Sequence, residues 1–495
     1  MKKSKKQLIG WALAALLTGS PVLASDLNLR LEGDKVWLTA NDQPLIDVLK
    51  AFSDLSVNVT FDPTISRDVS VNLKNEDVSD AMDRMLGDLG YVLTWKLVKG
   101  PVGRIIRLSE LQVFNQGEKD KAKPLVAGRR NFDVRKSKDG SFEYIADELL
   151  IGMKAKMTKK EFLEFLKTIG AVPVDGFPEI GIYRLKLPPG TDIEELVKKL
   201  TGDDRVAVAE PNYAYRVPPG FQDIGGVENL PITGADIPAG MAPVAVFDSG
   251  VMSLAGLNEA VVGSFDAVHP GQPVTDNQGH GTQMAMIASG AVPPRGTGGK
   301  GGTATVPVLA IRAFDDRGVT SNDTIFKGIQ YALRSNSKVM TMSFGSGKES
   351  QVLGGAIRYA HNNDMVVVAS AGNEPTGQKV WPAAFKEVIA VSATTRNGEI
   401  WKNSNYGSFV HMSAPGTASF SVGYRGPPGG YAGTSISAAY VGGQVANFRQ
   451  ANPNLNSGQV IRKVTGSLTD NGSRGYDTRF GHGTLDNGAV RRLFW

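Results

Sequence analysis

The sequence predicts an α/β protein: a C-terminal domain built on a parallel sheet flanked by helices, preceded by two small α+β domains. Three observations carry this reading. The chain has 495 residues, room for about three domains at roughly 100–200 residues each. It is 41% hydrophobic and 21% charged, a globular composition that excludes wholesale disorder and collagen-like structure. Through residues 235–495, short apolar runs alternate with helical patterns, as expected of parallel strands buried on both faces. Cysteine is absent, which removes disulfides, thiolate metal sites and a cysteine nucleophile.

Residues 1–24 hold Lys2, Lys3, Lys5 and Lys6, then an apolar run at 8–17, then Pro21 and a small-residue pattern, Val22 and Ala24, before Ser25. This is the layout of a secretory signal peptide. The run is about half the roughly 20 residues that span a bilayer, and no later stretch is long and apolar enough. The expected product is soluble and exported: periplasmic, outer-membrane-associated or extracellular. The four lysines supply four of the five net positive charges, leaving +1. Such a balance gives no electrostatic case for nucleic acid.

Residues 25–114 read as a small module. Strand-like runs occur at 36–40, 57–61, 69–73, 91–98 and 104–108. Leu45, Val48, Leu49 and Phe52 recur at helical spacing, as do Val78, Ala81, Met82, Met85 and Leu86. Each helix must bury one face on the small sheet, and no catalytic constellation appears. On Asp42-Gln43-Pro44-Leu45-Ile46-Asp47-Val48-Leu49, with residues 58–62, 69–73 and 81–89, the segment resembles the short N-terminal domain of secretins and TonB-dependent receptors. The resemblance implies an envelope protein partner. Residues 115–141 carry eight Lys/Arg among four Asp/Glu with little apolar periodicity and read as a solvated linker.

Residues 142–217 follow the order strand, helix, strand, helix, strand: a strand at 148–153, a helix with Phe162, Phe165, Leu166 and Ile169 on one face, a strand at 180–187, a helix with Ile193, Leu196, Val197 and Leu200, and a last strand from Val206. This suits a small open α/β sandwich of ferredoxin-like type. The run VAVAEPNYAY at residues 206–215 resembles the end of the inhibitor-type propeptide of secreted subtilisin-like proteases. The resemblance implies a segment that templates folding and acts as an intramolecular inhibitor, with self-cleavage between Val217 and Asp236.

In residues 235–495, strands are expected at 244–248, 306–311, 338–343, 365–370 and 388–392, with helices at 322–334 and 353–362. Ligands in such folds bind beyond the carboxyl ends of the strands, and the motifs fall there. Asp248 ends the first strand, where a carboxylate can hold a histidine in one tautomer. His280 lies in Asn277-Gln278-Gly279-His280-Gly281-Thr282 at the start of a small apolar helix; an imidazole exchanges protons near neutrality. Ser435 lies in Gly433-Thr434-Ser435-Ile436-Ser437 at the start of a helix of small residues, where the dipole favours developing negative charge. Ser437 falls inside that helix and more naturally bonds the backbone. Asn373, after Ser370-Ala371-Gly372, can donate to an oxyanion together with the Ser435 backbone N–H. Phe480-Gly481-His482-Gly483-Thr484 repeats the four letters around His280, but Leu485-Asp486-Asn487-Gly488 breaks a helix there, so His482 reads as a turn residue. His269, His361 and His411 carry no motif.

Asp248, His280 and Ser435 occur in that order, 32 and 155 positions apart, with Asn373 between the last two. On these motifs the domain resembles the subtilisin-like serine proteases, which use this order. The resemblance implies a subtilisin-like sheet and a secreted zymogen endopeptidase acting on protein or peptide substrates through an acyl-enzyme. Ser435 is then the nucleophile, His280 the base and later acid, Asp248 its orienting partner and Asn373 the oxyanion donor. Ser343-Phe344-Gly345 and Ala371-Gly372 resemble the walls of the family's primary side-chain pocket, and Gly318-Val319-Thr320 its substrate-pairing edge strand. Gln283 stands where a second histidine is common, and Ala439 where a proline is usual. No cofactor is required for this chemistry. Structural calcium is an expectation of the family; Asp315, Asp316 and Asp323 are available carboxylates without fixed ligand spacing.

Two other readings compete. One is a catalytically inactive exported scaffold with a partner-binding domain; retention of all four chemical residues argues against it. The other is a lipase or esterase, whose order Ser, Asp, His differs from the order here.

Overall fold

The computed structural model describes residues 27–494, apart from residues 56, 101, 126–130, 155–156, 224–232, 235–239 and 298–302. The signal-like segment and much of the expected self-cleavage stretch lie outside the described residues. The chain divides into two compact units, Met1–Lys96 with Arg107–Leu125, and Leu97–Ile106 with Val126–Trp495. No helix among the described residues is long and apolar enough to cross a membrane.

In the first unit the two expected helices form at Leu45–Asp54 and Val78–Leu86. Each buries the face its spacing marked: Leu45, Val48, Leu49 and Phe52 on one, Val78, Ala81, Met82, Met85 and Leu86 on the other. They share a core with a three-stranded sheet, Leu27–Glu32, Lys35–Pro44 and Asp68–Asp77, and with the strands Asn58–Phe61 and Gly103–Phe114. Full burial of such side chains stabilises by about 1.5–3 kcal/mol each. The expected linker is partly ordered. Lys123–Pro124 pairs with Thr60 and Phe61, and Val134–Lys136 pairs with residues 143–145. Backbone hydrogen bonding, invisible to apolar periodicity, fixes those two pieces.

The second unit begins with an α+β layer whose sheet runs Val172–Phe177, Ile182–Lys186, Glu143–Met153, Val206–Arg216. The helices Lys159–Thr168 and Ile193–Thr201 start at side-chain caps, Thr158 with Glu161 in a capping box and Asp192, which satisfy otherwise orphaned N–H groups. The strand Val172–Phe177 was not expected. Pro173 and Gly176 mask its pattern, and it sits at the sheet edge, where a proline without an N–H is tolerated.

The larger layer is a seven-stranded sheet in the order Val261–Asp266, Val308–Arg312, Val244–Asp248, Val339–Met342, Val366–Ser370, Val388–Thr394, Met412–Pro415. Every pairing is parallel. The five anticipated strands are present; the two unanticipated ones are its edges. From Val244–Asp248 the chain first builds to one side and then to the other, so winding reverses beside this strand and opens a crevice at its carboxyl end. Helix Thr434–Ala451 crosses the sheet and is buried along most of its length. It approaches closely because Gly442 and Gly443 lack side chains: a Cβ would lie 2.1 Å from Thr341 Cγ2 and 2.3 Å from the Ala288 carbonyl oxygen, respectively. Ala439 continues the helix without a break, keeping the N–H that a proline would lose.

Candidate active site

Asp248 closes its strand with only 1% of its surface exposed. One carboxylate oxygen accepts from the Ser249 backbone N–H at 2.8 Å and meets His280 Nδ1 at 2.7 Å. His280 is the first residue of helix His280–Ser289, entered through Gly279 at φ +88°, where a Cβ would strike the Gly423 carbonyl oxygen at 2.0 Å. Glycine is the residue that permits both. Asp276, which the sequence reading passed over, builds this turn. Its buried carboxylate accepts from Ser249 Oγ, from the backbone of Gln278, Gly279 and Thr282, and from Thr282 Oγ1. Its signal was an aspartate four positions before the histidine, indistinguishable in sequence from an ordinary turn residue.

Ser435 is the second residue of its helix and 3% exposed. Its Oγ bonds to no described residue, so the anticipated link to His280 is not made, although both side chains line one cavity. A buried hydroxyl left unpaired costs about 1–3 kcal/mol, and such atoms call for an explanation. Asn373 borders the same cavity. Its Oδ1 accepts from the Thr434 backbone N–H at 3.0 Å and from Thr434 Oγ1 at 2.7 Å. With the oxygen held, Nδ2 is the face of the amide left to donate. Thr434 is a positioning residue that only the fold disclosed. Ser437 Oγ donates to the Ala414 carbonyl, a backbone bond as expected.

The cleft is occupied by the chain itself. Ala214, Tyr215 and Arg216 pair antiparallel with Ser321, Thr320 and Val319, Val217 N–H donates to the Gly318 carbonyl at 3.0 Å, and Arg216 bridges to Gly345. Thus Gly318, Val319, Thr320 and Gly345 hold an extended strand. Ser343 and Phe344 follow strand Val339–Met342, while Ala371 and Gly372 follow its neighbour Val366–Ser370, so these positions meet at one end of the sheet. Phe344 is buried against Tyr215, ring centroids 5.7 Å apart.

The remaining expectations sort cleanly. His482 is exposed, its ring against His411 and Tyr476. The following residues start helix Asn487–Phe494 rather than breaking one, because Asp486 Oδ1 accepts from the Ala489 N–H. Gln283 Nε2 donates to the Val422 carbonyl at 2.7 Å, tying the helix of His280 to the loop 421–428. The three aspartates offered for calcium are otherwise engaged. Asp315 accepts from the backbone of Phe132, Arg317 and Val319. Asp316 takes Arg312 and Asn277. Burial opposes ionisation of Asp323, but Lys327 and Arg184 overcome it and hold the carboxyl below its ordinary range. Among the described residues, no group of three His, Asp or Glu side chains forms a metal-binding cluster.

Chemistry gathered past the carboxyl ends of a parallel sheet, beside an edge that takes extended backbone, defines a hydrolase of the serine-nucleophile class that accepts peptide chains. The subtilase family profile (Peptidase_S8) matches residues 242–483, and the fervidolysin N-terminal prodomain profile matches residues 131–212. Thermitase of Thermoactinomyces vulgaris is 35% identical over 206 residues, 41% of this chain and 72% of that protein. The thermophilic serine proteinase of Bacillus sp. (strain AK1) is 29% identical over 343 residues, 67% of this chain and 84% of that one. Fervidolysin from Fervidobacterium pennivorans, a keratinolytic enzyme related to subtilisin, superposes with a TM-score of 0.57 at 21% identity, over 73% of this chain and 64% of its own. The chain belongs to the subtilase family of serine endopeptidases and carries a fervidolysin-type N-terminal prodomain.

Proposed function

We propose that the protein is an exported zymogen whose catalytic domain hydrolyses peptide bonds with Ser435, His280, Asp248 and Asn373. In this reading Ser435 Oγ attacks the scissile carbonyl carbon and His280 Nε2 takes its proton. Asp248 keeps the other imidazole proton on Nδ1 and stabilises the imidazolium. Asn373 Nδ2 and the Ser435 N–H receive the oxyanion. The C–N bond then breaks, His280 returns the proton to the leaving amine, and water hydrolyses the acyl-enzyme. The observation that carries the reading is the 2.7 Å Asp248–His280 contact at the base of a cleft that already holds an antiparallel strand of the prodomain. The unpaired Ser435 hydroxyl fits a nucleophile awaiting its partners. The full chain should react with a fluorophosphonate probe as it self-processes, and Ser435→Ala should lose both. Persistence of either in Ser435→Ala would sink the assignment.

Export to the periplasm, the outer membrane or the medium rests on the signal-like N-terminus. The first unit, with its own core and no catalytic cluster among its described residues, is read as a module that binds an envelope protein.

A further inference from the structure

The junction between prodomain and catalytic domain crosses the active site, and its sequence is a poor substrate. Upstream, Ala214–Val217 is held by the edge strand. Downstream, Phe221, Gln222 and Asp223 pair antiparallel with Ala432, Tyr431 and Gly430, the strand that leads into Ser435. Between them Pro218, Pro219 and Gly220 line the cavity of His280, Asn373 and Ser435, leaving ≈ 20 Å³ there, barely room for one water. Phe221 lines the cavity too, so four bonds bridge Val217 and Phe221. The carbonyl held beside His280 is that of Pro218, and Gly220–Phe221 already starts the downstream pairing with Ala432. The other three, Val217–Pro218, Pro218–Pro219 and Pro219–Gly220, each have a proline on one side or both. In the first two the leaving nitrogen belongs to a rigid pyrrolidine ring, with φ fixed near −65° and the preceding residue restricted in turn. In the third the acyl residue has no N–H to extend the antiparallel pairing that Val217 begins.

Tyr424 adds a second obstacle. Its hydroxyl donates to the Pro218 carbonyl, its ring lies 4.7 Å from the His280 ring, and a Cβ on Gly220 would lie 2.7 Å from its Cδ1. A carbonyl gripped there is engaged outside the Asn373–Ser435 donor pair. The loop carrying Tyr424 is itself anchored: Tyr424 N–H donates to Tyr431 Oη, Val422 accepts from Gln283, and the Arg425 guanidinium donates to Gln278.

We infer that Val217–Gly220 is a self-inhibitory plug that the enzyme does not cut, with Tyr424 as its latch, and that maturation begins with hydrolysis of a different bond. This rests on the endopeptidase reading above. The first cut is ordinary hydrolysis: one water is consumed, one C–N bond breaks, and a carboxylate and an amine are released. It occurs when the plug leaves the cleft, or in the cleft of another copy.

The test follows the full chain by intact mass and N-terminal sequencing, with fluorophosphonate labelling alongside. Wild type should yield a first new N-terminus other than Pro218, Pro219, Gly220 or Phe221. The double variant Pro218→Ala/Pro219→Ala should gain a cut inside the junction and process about tenfold faster or more, the scale on which substrate misplacement acts. Tyr424→Phe should raise the fraction cut there. A wild-type product beginning at Pro218, Pro219, Gly220 or Phe221 overturns the plug, and this needs no variant to fold. A double variant with unchanged cut and rate overturns it too. A wild type that stays uncut and unlabelled supports the plug if the double variant is cut and labelled. If neither chain is ever cut or labelled, or if Ser435→Ala is processed like wild type, the endopeptidase reading fails instead.

Discussion

At the scale of single residues, the site works by taking freedom away from groups whose chemistry the sequence already displays. Asn373 is the clearest case. A free asparagine amide presents oxygen and nitrogen equally, but two donors from Thr434 claim the oxygen. The nitrogen is then committed before any substrate arrives, the condition under which a donor stabilises developing charge without reorganising. Asn373→Ala in the processed enzyme should lower kcat by about 10²–10³ with little change in KM, as for loss of one oxyanion-hole donor. An equal loss carried by KM would assign Asn373 to ground-state binding. Asp248, His280, Ser435 and Asn373 stood out as candidates because each has a glycine or other small neighbour. Thr434, Asp276 and Tyr424 were not, because threonine, aspartate and tyrosine gain roles there only from what folds against them.

At the scale of elements, one prodomain carboxylate is shared with a helix of the catalytic domain. Glu210 is buried where helix Gln351–Asn362 begins. It accepts from the backbone of Gln351 and Val352, from Asn322 Nδ2 and from Ser350 Oγ, while Ser350 itself caps the helix through the Leu353 N–H. An anion at a helix N-terminus is favoured, yet burial dominates and pushes this carboxyl up to about 7 against the pull of those donors and of Lys348. Because the value in the docked state exceeds the ordinary 4.5, proton binding favours docking. That contribution is complete below the free value and fades as pH rises through about 7. In the Ser435→Ala chain, the strand Val206–Arg216 should therefore become more susceptible to an added protease as pH is raised from about 5 to about 8. Glu210→Gln should flatten that trend; a trend unchanged in the variant would place the titrating group elsewhere. The helices themselves were readable from periodicity and caps. The edge strands Val172–Phe177, Val261–Asp266 and Met412–Pro415 were not, since Pro173 and Gly176, Gly263 and Ser264, and Ser413 and Pro415 interrupt the apolar runs that mark buried parallel strands.

At the scale of the whole second unit, stability depends on a charge placed inside the large sheet. Arg312, 1% exposed, ends strand Val308–Arg312 and bonds Asp266 on the neighbouring edge strand at 2.8 Å and Asp316 at 2.8 Å. Removing one partner of a buried pair leaves the other charge uncompensated, which costs about 3–5 kcal/mol. Asp266→Ala in the Ser435→Ala background should lower the thermal midpoint of the catalytic domain accordingly. A shift no larger than that of a surface aspartate variant would show that water or Asp316 compensates.

The sequence by itself marked the run of buried parallel strands, the helix faces and the four groups proposed for the chemistry. Each of these is written in local patterns of polarity and small residues that act over a few positions. Only the tertiary structure decided that Asp276 and Thr434 would orient the chemical groups, that Gln283 would anchor a loop, and that the chain would thread its own cleft at two prolines. Those outcomes depend on backbone pairing and on side-chain hydrogen bonds that reach from a few positions, as around Asp276, to more than a hundred, as from Gln283 to Val422, or on which atom of a side chain is claimed first, and neither leaves a periodic trace.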